Sequence, residues 1–330
     1  MQKVDQKRSW VRILLSVPLR LKITIPYLIV ASLLAGLAIY QVSRTFITTL
    51  EERFEGQLQD ASFRVADGVL QIEEGHLNAA RTIAFTVGVP EAVTDRDIAE
   101  IKNLVFPLVA NNELFFTQIL DSDGNILVSW HRTGDELSYV EGHETDLSSW
   151  SSVEMVLSGY ADEIGDKFSE IVDTPWGLAV YTAGPILIDD ELAGILLIGS
   201  PFSVLVPEFA ISSLSNVTIY SANGFRAKSS FANDEPIPVL SESIMTQLSS
   251  ASGVAPTRNL ESGSREYVEA IDVVYLRSEP SGWFYGVALP KSLVRDAGLP
   301  ELLPLIAIFI LGVVALILLG ISVAQLIAIP

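Results

Sequence analysis

The chain has 330 residues and a formal net charge of −19, from 21 basic and 40 acidic side chains, and it contains no cysteine. The absence of cysteine excludes a disulfide framework, a thiolate metal site and a cysteine nucleophile. Hydrophobic residues make up 49% of the chain and the mean hydropathy is +0.39. Together with so many charges, this composition predicts membrane-spanning segments joined to a solvated domain.

The first segment of the chain is basic and leads into an uncharged run. Residues 1–22 carry six Lys or Arg against the single acid Asp5, and residues 23–42 carry no charge. About 20 apolar residues are enough for a helix to cross a bilayer, and the positive-inside rule places the basic residues in the cytoplasm. We therefore predict a cytoplasmic N-terminus and a transmembrane helix over 23–42. A cleaved signal peptide is the alternative, although the run exceeds the usual ~7–15-residue hydrophobic region.

The rest of the chain is strongly acidic. Removing the first 22 residues leaves 21 − 6 = 15 basic against 40 − 1 = 39 acidic side chains, a net charge of −24. A field of that sign argues against nucleic acid and anionic lipid as ligands of this part of the protein. It discourages small anions only weakly, because the residues of a pocket decide its preference.

A long amphipathic helix, a stalk, is predicted over 43–87. Apolar residues recur there at steps of three and four, with charges between them and no proline. The apolar stripe consists of Phe46, Leu50, Phe54, Leu58, Ala61, Val65, Val69 and Ile72. Packing against the chain's own domain explains most of such a stripe. Its heptad spacing also suits a coiled-coil seam with a second subunit, so we predict a homodimer as well.

The pattern changes to strands after a helix predicted over 95–110. Residues 114–120 and 126–130 are apolar and rich in β-forming residues, and Asp-Ser-Asp-Gly-Asn at 121–125 separates them. Asp-Gly between two such runs predicts a hairpin. The same five residues could begin a calcium loop, but Arg132 stands where the bidentate glutamate is required, so calcium is not expected.

Strand, tight polar turn, strand, excursion and closing strands occur twice, which indicates an internal structural repeat. In the first unit, over 88–205, a polar loop over 131–149 and a helix over 150–160 precede strands at 169–172, 178–188 and 193–199. In the second, over 206–298, a helix at 202–214 leads to strands at 216–221 and from 225, and to strands at 265–274 and 283–289 around a turn at 278–282. Each unit is predicted to be an antiparallel sheet with helices on one side, an α+β fold.

The chain closes with a second uncharged run, from Leu302 to Ile329. A helix of that length covers ~42 Å, more than the ~30 Å hydrocarbon core of a bilayer. We predict a second transmembrane helix over 299–321 that continues into the cytoplasm over 322–330. The protein would then cross the cell membrane twice, with residues 43–298 outside the cytoplasm, and an output half is expected to follow Pro330.

The order of these segments resembles the double Cache sensor family, with a first span, a long stalk helix, two PAS-like units and a second span. The residues that carry the resemblance are Gln118–Leu127 (QILDSDGNIL), Tyr181–Ile186 (YTAGPI), Ala193–Gly199 (AGILLIG) and Ile219–Gly224 (IYSANG). The resemblance covers residues 44–298. Residues 324–330 resemble the opening of a HAMP relay helix, which characteristically reaches such a proline.

The resemblance implies a transmembrane signalling receptor. A small extracytoplasmic ligand would bind the membrane-distal first unit, and the second span would pass a displacement to a cytoplasmic HAMP domain and an output domain. The output domain would be a nucleotide cyclase, a phosphatase, a histidine kinase or a chemotaxis adaptor. We prefer the cyclase, because the segments TAGPI at 182–186 and GDK at 165–167 resemble sensors that have this output. A membrane-anchored scaffold or adhesion module without signalling is the competing interpretation.

Candidate ligand-binding residues surround the polar excursion of the first unit, because aromatic walls with a few charges suit a small-molecule site. The candidates are Trp130, Arg132, Tyr139 and Trp150 at its start and Asp173, Trp176 and Tyr181 at its return. Ordinary packing is the alternative for each aromatic residue, and a solvated surface position for Arg132 and Asp173. An amino-acid-binding subset of the family has Arg, Trp and Tyr in a different order and spacing, which argues against an amino-acid ligand.

The sequence indicates neither catalysis nor a cofactor. It contains no G-x-S-x-G elbow, no H-E-x-x-H motif and no P-loop. His76, His131 and His143 are too widely spaced to suggest a metal site, and His131 is interpreted as exposed. Any enzymatic activity of the full-length protein is expected in its output domain.

Overall fold

The computed structural model describes residues 19–134, 138–142, 146–232, 237–249, 255–293, 307–315, 318–319 and 322. The α+β fold class is confirmed, since a long N-terminal helix precedes two antiparallel sheets in tandem. The chain divides into two compact units, one formed by residues 57–290 and the other by residues 1–56 with 291–330. Both sheets lie within residues 57–290, which we call the sheet domain.

Helix α1 runs without a break from Leu19 to Ala84, where the sequence indicated a span followed by a stalk. Among the described residues it is the one helix long and apolar enough to cross a membrane, and its apolar window is unburied. Residues 307–315 are also helical. The rest of the predicted second span, 299–321, lies outside the described residues apart from 318–319. The predicted cytoplasmic continuation over 322–330, which includes the HAMP-like opening, also lies outside them apart from Ser322.

The shorter helices of the sheet domain are α2 (Val89–Thr94), α3 (Ile98–Asn111), α4 (Ser151–Leu157), α5 (Phe202–Ser213) and α6 (Glu242–Ser249). The helix predicted over 95–110 begins later, at Ile98. The Asp97 side chain accepts hydrogen bonds of 3.1 Å from the N–H groups of Ala99 and Glu100, and this cap fixes the first turn of α3.

The apolar stripe predicted on α1 is buried for most of its length. Its buried members are Phe54, Leu58, Ala61, Val65 and Val69. Helix α5 approaches α1 so closely that a methyl group at Gly68 would lie 2.7 Å from the ring of Phe209. From Leu58 onward the stripe therefore packs into the chain's own domain. Phe63 and Leu70, which are 63% and 50% exposed, lie on another face of the helix.

The first sheet consists of β1 (Phe116–Asp121), β2 (Ile126–Thr133), β3 (Ser138–Glu141), β4 (Phe168–Thr174), β5 (Gly177–Ile188) and β6 (Glu191–Pro201). Their spatial order is β3-β2-β1-β6-β5-β4, and the pairs are antiparallel. The predicted β1–β2 hairpin is confirmed, and Asp121 closes its turn by accepting hydrogen bonds from the N–H groups of Asp123 and Asn125. The sequence predicts a polar loop where strand β3 lies. The residues of β3 do not alternate between apolar and polar, so only the pairing with β2 identifies the strand.

The second sheet consists of β7 (Asn216–Tyr220), β8 (Arg226–Ser229), β9 (Thr257–Ser262), β10 (Arg265–Leu276) and β11 (Glu279–Pro290), in the order β8-β7-β11-β10-β9. The prediction of a turn at 278–282 is wrong, because β11 already begins at Glu279. Arg277 and Ser278 alone join β10 to β11, with φ of 52° and 63°, and a two-residue hairpin of this kind requires positive φ at both positions. Pro280 is tolerated in β11 because the β10–β11 ladder is irregular there.

The two faces of the first sheet pack against different parts of the chain. Helices α1, α2 and α3 cover one face, which we call the helix face, and Ile83, Val93 and Val105 pack there against Ile119 and Leu196. Helix α4 and its flanking segments cover the other face, which we call the α4 face. Since successive strand residues alternate between faces, neighbours in the sequence contribute to different cores.

A buried histidine joins α1 to the helix face. The ring of His76 is 4% exposed, with Nε2 2.8 Å from Ser200 Oγ and Nδ1 3.2 Å from Thr182 Oγ1. Burial lowers the pKa of this imidazole from its usual 6.5 to about 4, because the charged ring would lose its hydration. His76 is therefore neutral at neutral pH and belongs to the packing of α1.

Candidate functional site

One row of residues crosses five strands of the first sheet. His131 pairs with Phe116, Phe116 with Gly199, Gly199 with Tyr181, and Tyr181 with Glu170. Side chains of directly paired residues on adjacent strands lie on the same side of a sheet. All members of this row therefore belong to the α4 face, and the row brings two aromatic rings, an imidazole and a carboxylate together.

The glycine in the middle of the row makes room for the tyrosine. A methyl group at Gly199 would lie within 2.6 Å of Cζ of Tyr181, so only glycine lets this ring lie across β6. The Tyr181 ring is fully buried and stacks on Phe116, with centroids 5.9 Å apart and planes inclined by 14°. Gly199 is thus a requirement of the site geometry.

Two tryptophans complete the aromatic cluster. The Trp150 ring meets the Tyr181 ring edge to face, with centroids 4.9 Å apart. The indole N–H of Trp176 donates a 3.0 Å hydrogen bond to the Tyr181 hydroxyl, and its ring lies 4.7 Å from the ring of His131. Trp150 precedes α4 and Trp176 lies in the β4–β5 turn, so the cluster depends on segments that are distant in the sequence.

Polar groups border this aromatic cluster. The amide nitrogen of Gln118 lies 3.2 Å from Nε2 of His131. Glu170 Oε1 accepts a 2.8 Å hydrogen bond from the backbone N–H of Ser152, in the first turn of α4. The Ser152 hydroxyl is buried and has no hydrogen-bond partner within the described residues. Since leaving a buried hydroxyl without a partner is costly, a ligand that bonded to it would gain affinity.

A groove of about 280 Å³ opens beside Glu170. Ser152, Phe168 and Glu170 line one wall, while Arg277 and Trp283 from the β10–β11 hairpin line the other. Drug-sized ligands usually occupy pockets of ~300–1,000 Å³. The groove therefore fits a molecule with few heavy atoms, and it leads to the carboxylate end of the row.

The structure brings together three of the predicted ligand residues, Trp150, Trp176 and Tyr181. It places Trp130 and Tyr139 on the helix face instead, where both rings pack beside α3. The Tyr139 hydroxyl donates a 3.3 Å hydrogen bond to a carbonyl of α3, and burial raises its pKa. The sheet therefore separates these two aromatic groups.

Arg132 and Asp173 lie at the margin of the cluster. The Arg132 guanidinium is 5.0 Å from the ring centroid of Phe115, and its Nη1 donates a 3.3 Å hydrogen bond to the carbonyl of Glu113. Asp173 is exposed and lines a separate groove of about 600 Å³ together with Lys228. A part for either residue in ligand binding stays a prediction.

The cluster also contains residues that the sequence did not single out, namely Phe116, His131 and Glu170. His131 was interpreted as exposed, yet it is half-buried between the rings of Phe116, at 5.0 Å, and Trp176. The pair of phenylalanines at 115–116 was visible in the sequence. Which of them faces the site depends on strand register, which periodicity does not reveal.

The corresponding face of the second sheet is filled by its own side chains. Glu269, fully buried, accepts 2.7 Å hydrogen bonds from Arg258 Nε and from the Tyr220 hydroxyl. A β-carbon at Gly286 would overlap this carboxylate, so glycine makes room for it. Burial raises the pKa of Tyr220, which keeps the hydroxyl protonated. In the described parts of both sheets, no group of three or more His, Asp or Glu side chains could hold a metal ion.

Comparison with known proteins identifies one family. The family model dCache_3, described as "Double sensory domain of two-component sensor kinase", matches residues 52–282, more than two thirds of the chain. No curated protein sequence matches the chain.

Several solved structures have a similar fold. A domain of a putative sensory box/GGDEF family protein from Vibrio parahaemolyticus is 14% identical with a TM-score of 0.53, covering 76% of this chain and 99% of that one. The extracellular domain of the putative histidine kinase vpHK1S-Z8 is 12% identical with a TM-score of 0.53, covering 78% and 96%. The sensory domain of the Campylobacter jejuni chemoreceptor Tlp3 with isoleucine bound is 10% identical with a TM-score of 0.51, covering 76% and 98%. At these identities the similarity shows the fold alone.

Proposed function

The chain belongs to the dCache_3 family of double sensory domains, and from that premise we propose that its first sheet binds a small molecule on the α4 face. The row from His131 to Glu170, with its aromatic cluster beside an open groove, is the observation that carries this proposal. Apolar walls with a few placed polar groups are typical of small-ligand sites. The protein would be the sensory part of a transmembrane receptor, with residues 43–298 outside the cytoplasm.

The ligand we propose is a small organic amine. The aromatic cluster offers ring faces that attract a cation, and Glu170 offers a carboxylate at the groove. Arg277, a cation that lines this groove, is already paired with Asp162 at 2.7 Å. The net charge of −24 beyond residue 22 also draws cations toward this part of the protein.

A free amino acid is the second candidate, because the similarly folded Tlp3 sensory domain was solved with isoleucine bound. An amino acid needs a partner for its carboxylate as well as one for its ammonium group. The Ser152 hydroxyl, which lines the groove and is buried without a hydrogen-bond partner within the described residues, would donate to that carboxylate. Replacing Ser152 with alanine would weaken an amino acid more than a simple amine.

A thermal-shift screen of the full chain in detergent micelles tests the proposal, with amines, amino acids, carboxylates, sugars and purines as the panel. A ligand at about a hundred times its Kd stabilises a protein by about 2.7 kcal/mol. Glu170→Gln should weaken an amine about tenfold or more, since a hydrogen bond to a charged group contributes ~1.5–3 kcal/mol. Trp130→Phe, on the helix face, is the matched control and should leave the affinity unchanged.

A blank screen would contradict small-molecule sensing and favour the scaffold or adhesion module. Hits confined to carboxylates or sugars would keep the sensory function and refute the amine. Affinity that is equal in wild type and Glu170→Gln would exclude this carboxylate from the site.

The two-span topology, the homodimer and the output domain are proposals of the same kind. The apolar window of α1 supports the first span, and the exposed Phe63 and Leu70 support a contact between subunits. Fold similarity does not select the output, because one fold hosts many functions. A cyclase behind a HAMP domain remains our preference. The domain content of the full-length protein tests it, and a kinase or chemotaxis module in place of a cyclase would refute it.

A further inference from the structure

The turn between β10 and β11, which belongs to the second sheet, reaches the candidate site of the first. The Arg277 guanidinium forms two parallel hydrogen bonds of 2.7 Å with the two carboxylate oxygens of Asp162. It also lies 4.3 Å from the ring centroid of Phe168, at the start of β4. Paired hydrogen bonds of this geometry are strong and directional. Arg277 therefore fixes the segment between α4 and β4, residues 158–167, which we call the cover.

The backbone of the same turn is anchored independently. The N–H of Arg277 donates to both carboxylate oxygens of Glu73, at 3.0 and 3.1 Å, and Glu73 is buried on α1. The φ of 52° at Arg277 lies in the left-handed region, which residues with side chains seldom adopt. Since α1 holds the turn in place, the guanidinium cannot follow the cover when the cover moves away.

The cover depends on the carboxylate that Arg277 holds. Asp162 Oδ1 accepts hydrogen bonds from the N–H groups of Ile164 and Gly165, at 2.9 and 3.0 Å. The hydrogen bonds from Arg277 lower the pKa of Asp162 to about 2, so the pair is ionised across the physiological range. The cover continues directly into Phe168 and then Glu170, and a displacement of Asp162 is therefore passed to the groove.

We propose that Arg277 is a positioning residue that keeps the cover closed over the α4 face, so that the second sheet sets the ligand affinity of the first. This inference rests on the proposed function. The Arg277 turn forms the outer wall of the groove beside Glu170, and a ligand that enters there must meet the turn. Opening of the site and breaking of the Arg277–Asp162 pair then form one coupled equilibrium. Strand β11 continues from the turn over 12 residues to Pro290, ~40 Å at the usual rise of a strand.

Hydrogen-exchange mass spectrometry on the full chain in detergent micelles tests the coupling without a ligand. Arg277→Gln should raise amide exchange in residues 158–168 about tenfold or more, because local opening sets the exchange rate. Arg265→Gln is the matched control, since Arg265 is an exposed arginine at the opposite end of β10.

Unchanged exchange in 158–168 with Arg277→Gln overturns the inference, and so does an equal rise with Arg265→Gln. A rise that extends through β5 and β6 would mean general loosening of the domain. Asp162→Asn then decides, because it removes the same pair from the side of the cover. A rise confined to 158–168 supports the inference, and no rise overturns it.

Ethanolamine, a primary amine whose ammonium group can donate to Glu170, is the probe that separates this inference from the proposed function. Ethanolamine binding to the wild type that weakens about tenfold in Arg277→Gln supports both, since a tenfold change in Kd corresponds to ~1.4 kcal/mol of coupling. Equal ethanolamine affinity in the two proteins overturns the link between the sheets. No ethanolamine binding by the wild type counts against the amine, and the exchange measurements then decide the inference alone.

Discussion

The buried His76 predicts an acid-sensitive contribution to stability. Its pKa is about 4 in the folded protein and 6.5 when exposed to water. Between these values the unfolded chain binds a proton that the folded chain excludes, so stability falls as the pH falls from 6.5 toward 4. At 1.36 kcal/mol per pKa unit, this difference in pKa lowers the free energy of unfolding by about 3 kcal/mol between pH 7 and pH 4. Above pH 7 this contribution is constant.

Urea unfolding of the full chain in detergent micelles, followed by tryptophan fluorescence at a series of pH values, measures this effect. His76→Gln has no imidazole to protonate. Its free energy of unfolding should therefore fall by about 3 kcal/mol less than that of the wild type between pH 7 and pH 4. Ser200→Ala is the control. It removes a hydrogen bond but leaves the ring buried, so it should lower stability without changing the slope. Equal slopes for wild type and His76→Gln would refute the assignment of the shift to burial.

Two further predictions follow from close contacts and exposure. Gly199→Ala should cost about 1–3 kcal/mol of stability, the usual range for overpacking, because its methyl group overlaps the neighbouring tyrosine ring. The same variant should also lose ligand binding, and a melting temperature equal to that of the wild type would contradict the close approach seen in the structure. In membranes, a cysteine at Phe63 should crosslink two subunits while one at the buried Leu58 should not. Crosslinking at Leu58 but not at Phe63 would show that the buried stripe is the seam and that the assignment of α1 is wrong.

Local sequence patterns predicted the hairpins where turn chemistry was explicit. The Asp-Gly turn after β1 was recognised. The strands predicted at 178–188 and 193–199 also left the right place for the turn between β5 and β6, where Asp189 and Asp190 have φ of 51° and 66°. The Arg277-Ser278 turn was missed, because neither residue favours positive φ. Contacts from Glu73 and Asp162 hold that turn in place, and they are distant in the sequence. Tertiary contacts there override local preference.

Some residues of the candidate site could likewise be predicted from the sequence, and others could not. The aromatic residues around the excursion were visible in the sequence, and Trp150, Trp176 and Tyr181 do meet. The separation of Trp130 from them follows from strand alternation once β2 is known. The inclusion of Phe116 and Glu170 follows only from the register of four strand pairs, and no periodicity within one strand encodes register.

The sequence by itself determined the α+β class, the order of long helix and two sheet units, and the family resemblance, because apolar periodicity and turn residues are local properties. The tertiary structure decided which side chains form the site, how Gly199 lets Tyr181 lie across the sheet, and how a turn of the second sheet reaches the first. Those features arise from register, from the choice of face and from close packing between distant segments. Each depends on several segments at once, and no single segment of the chain specifies it.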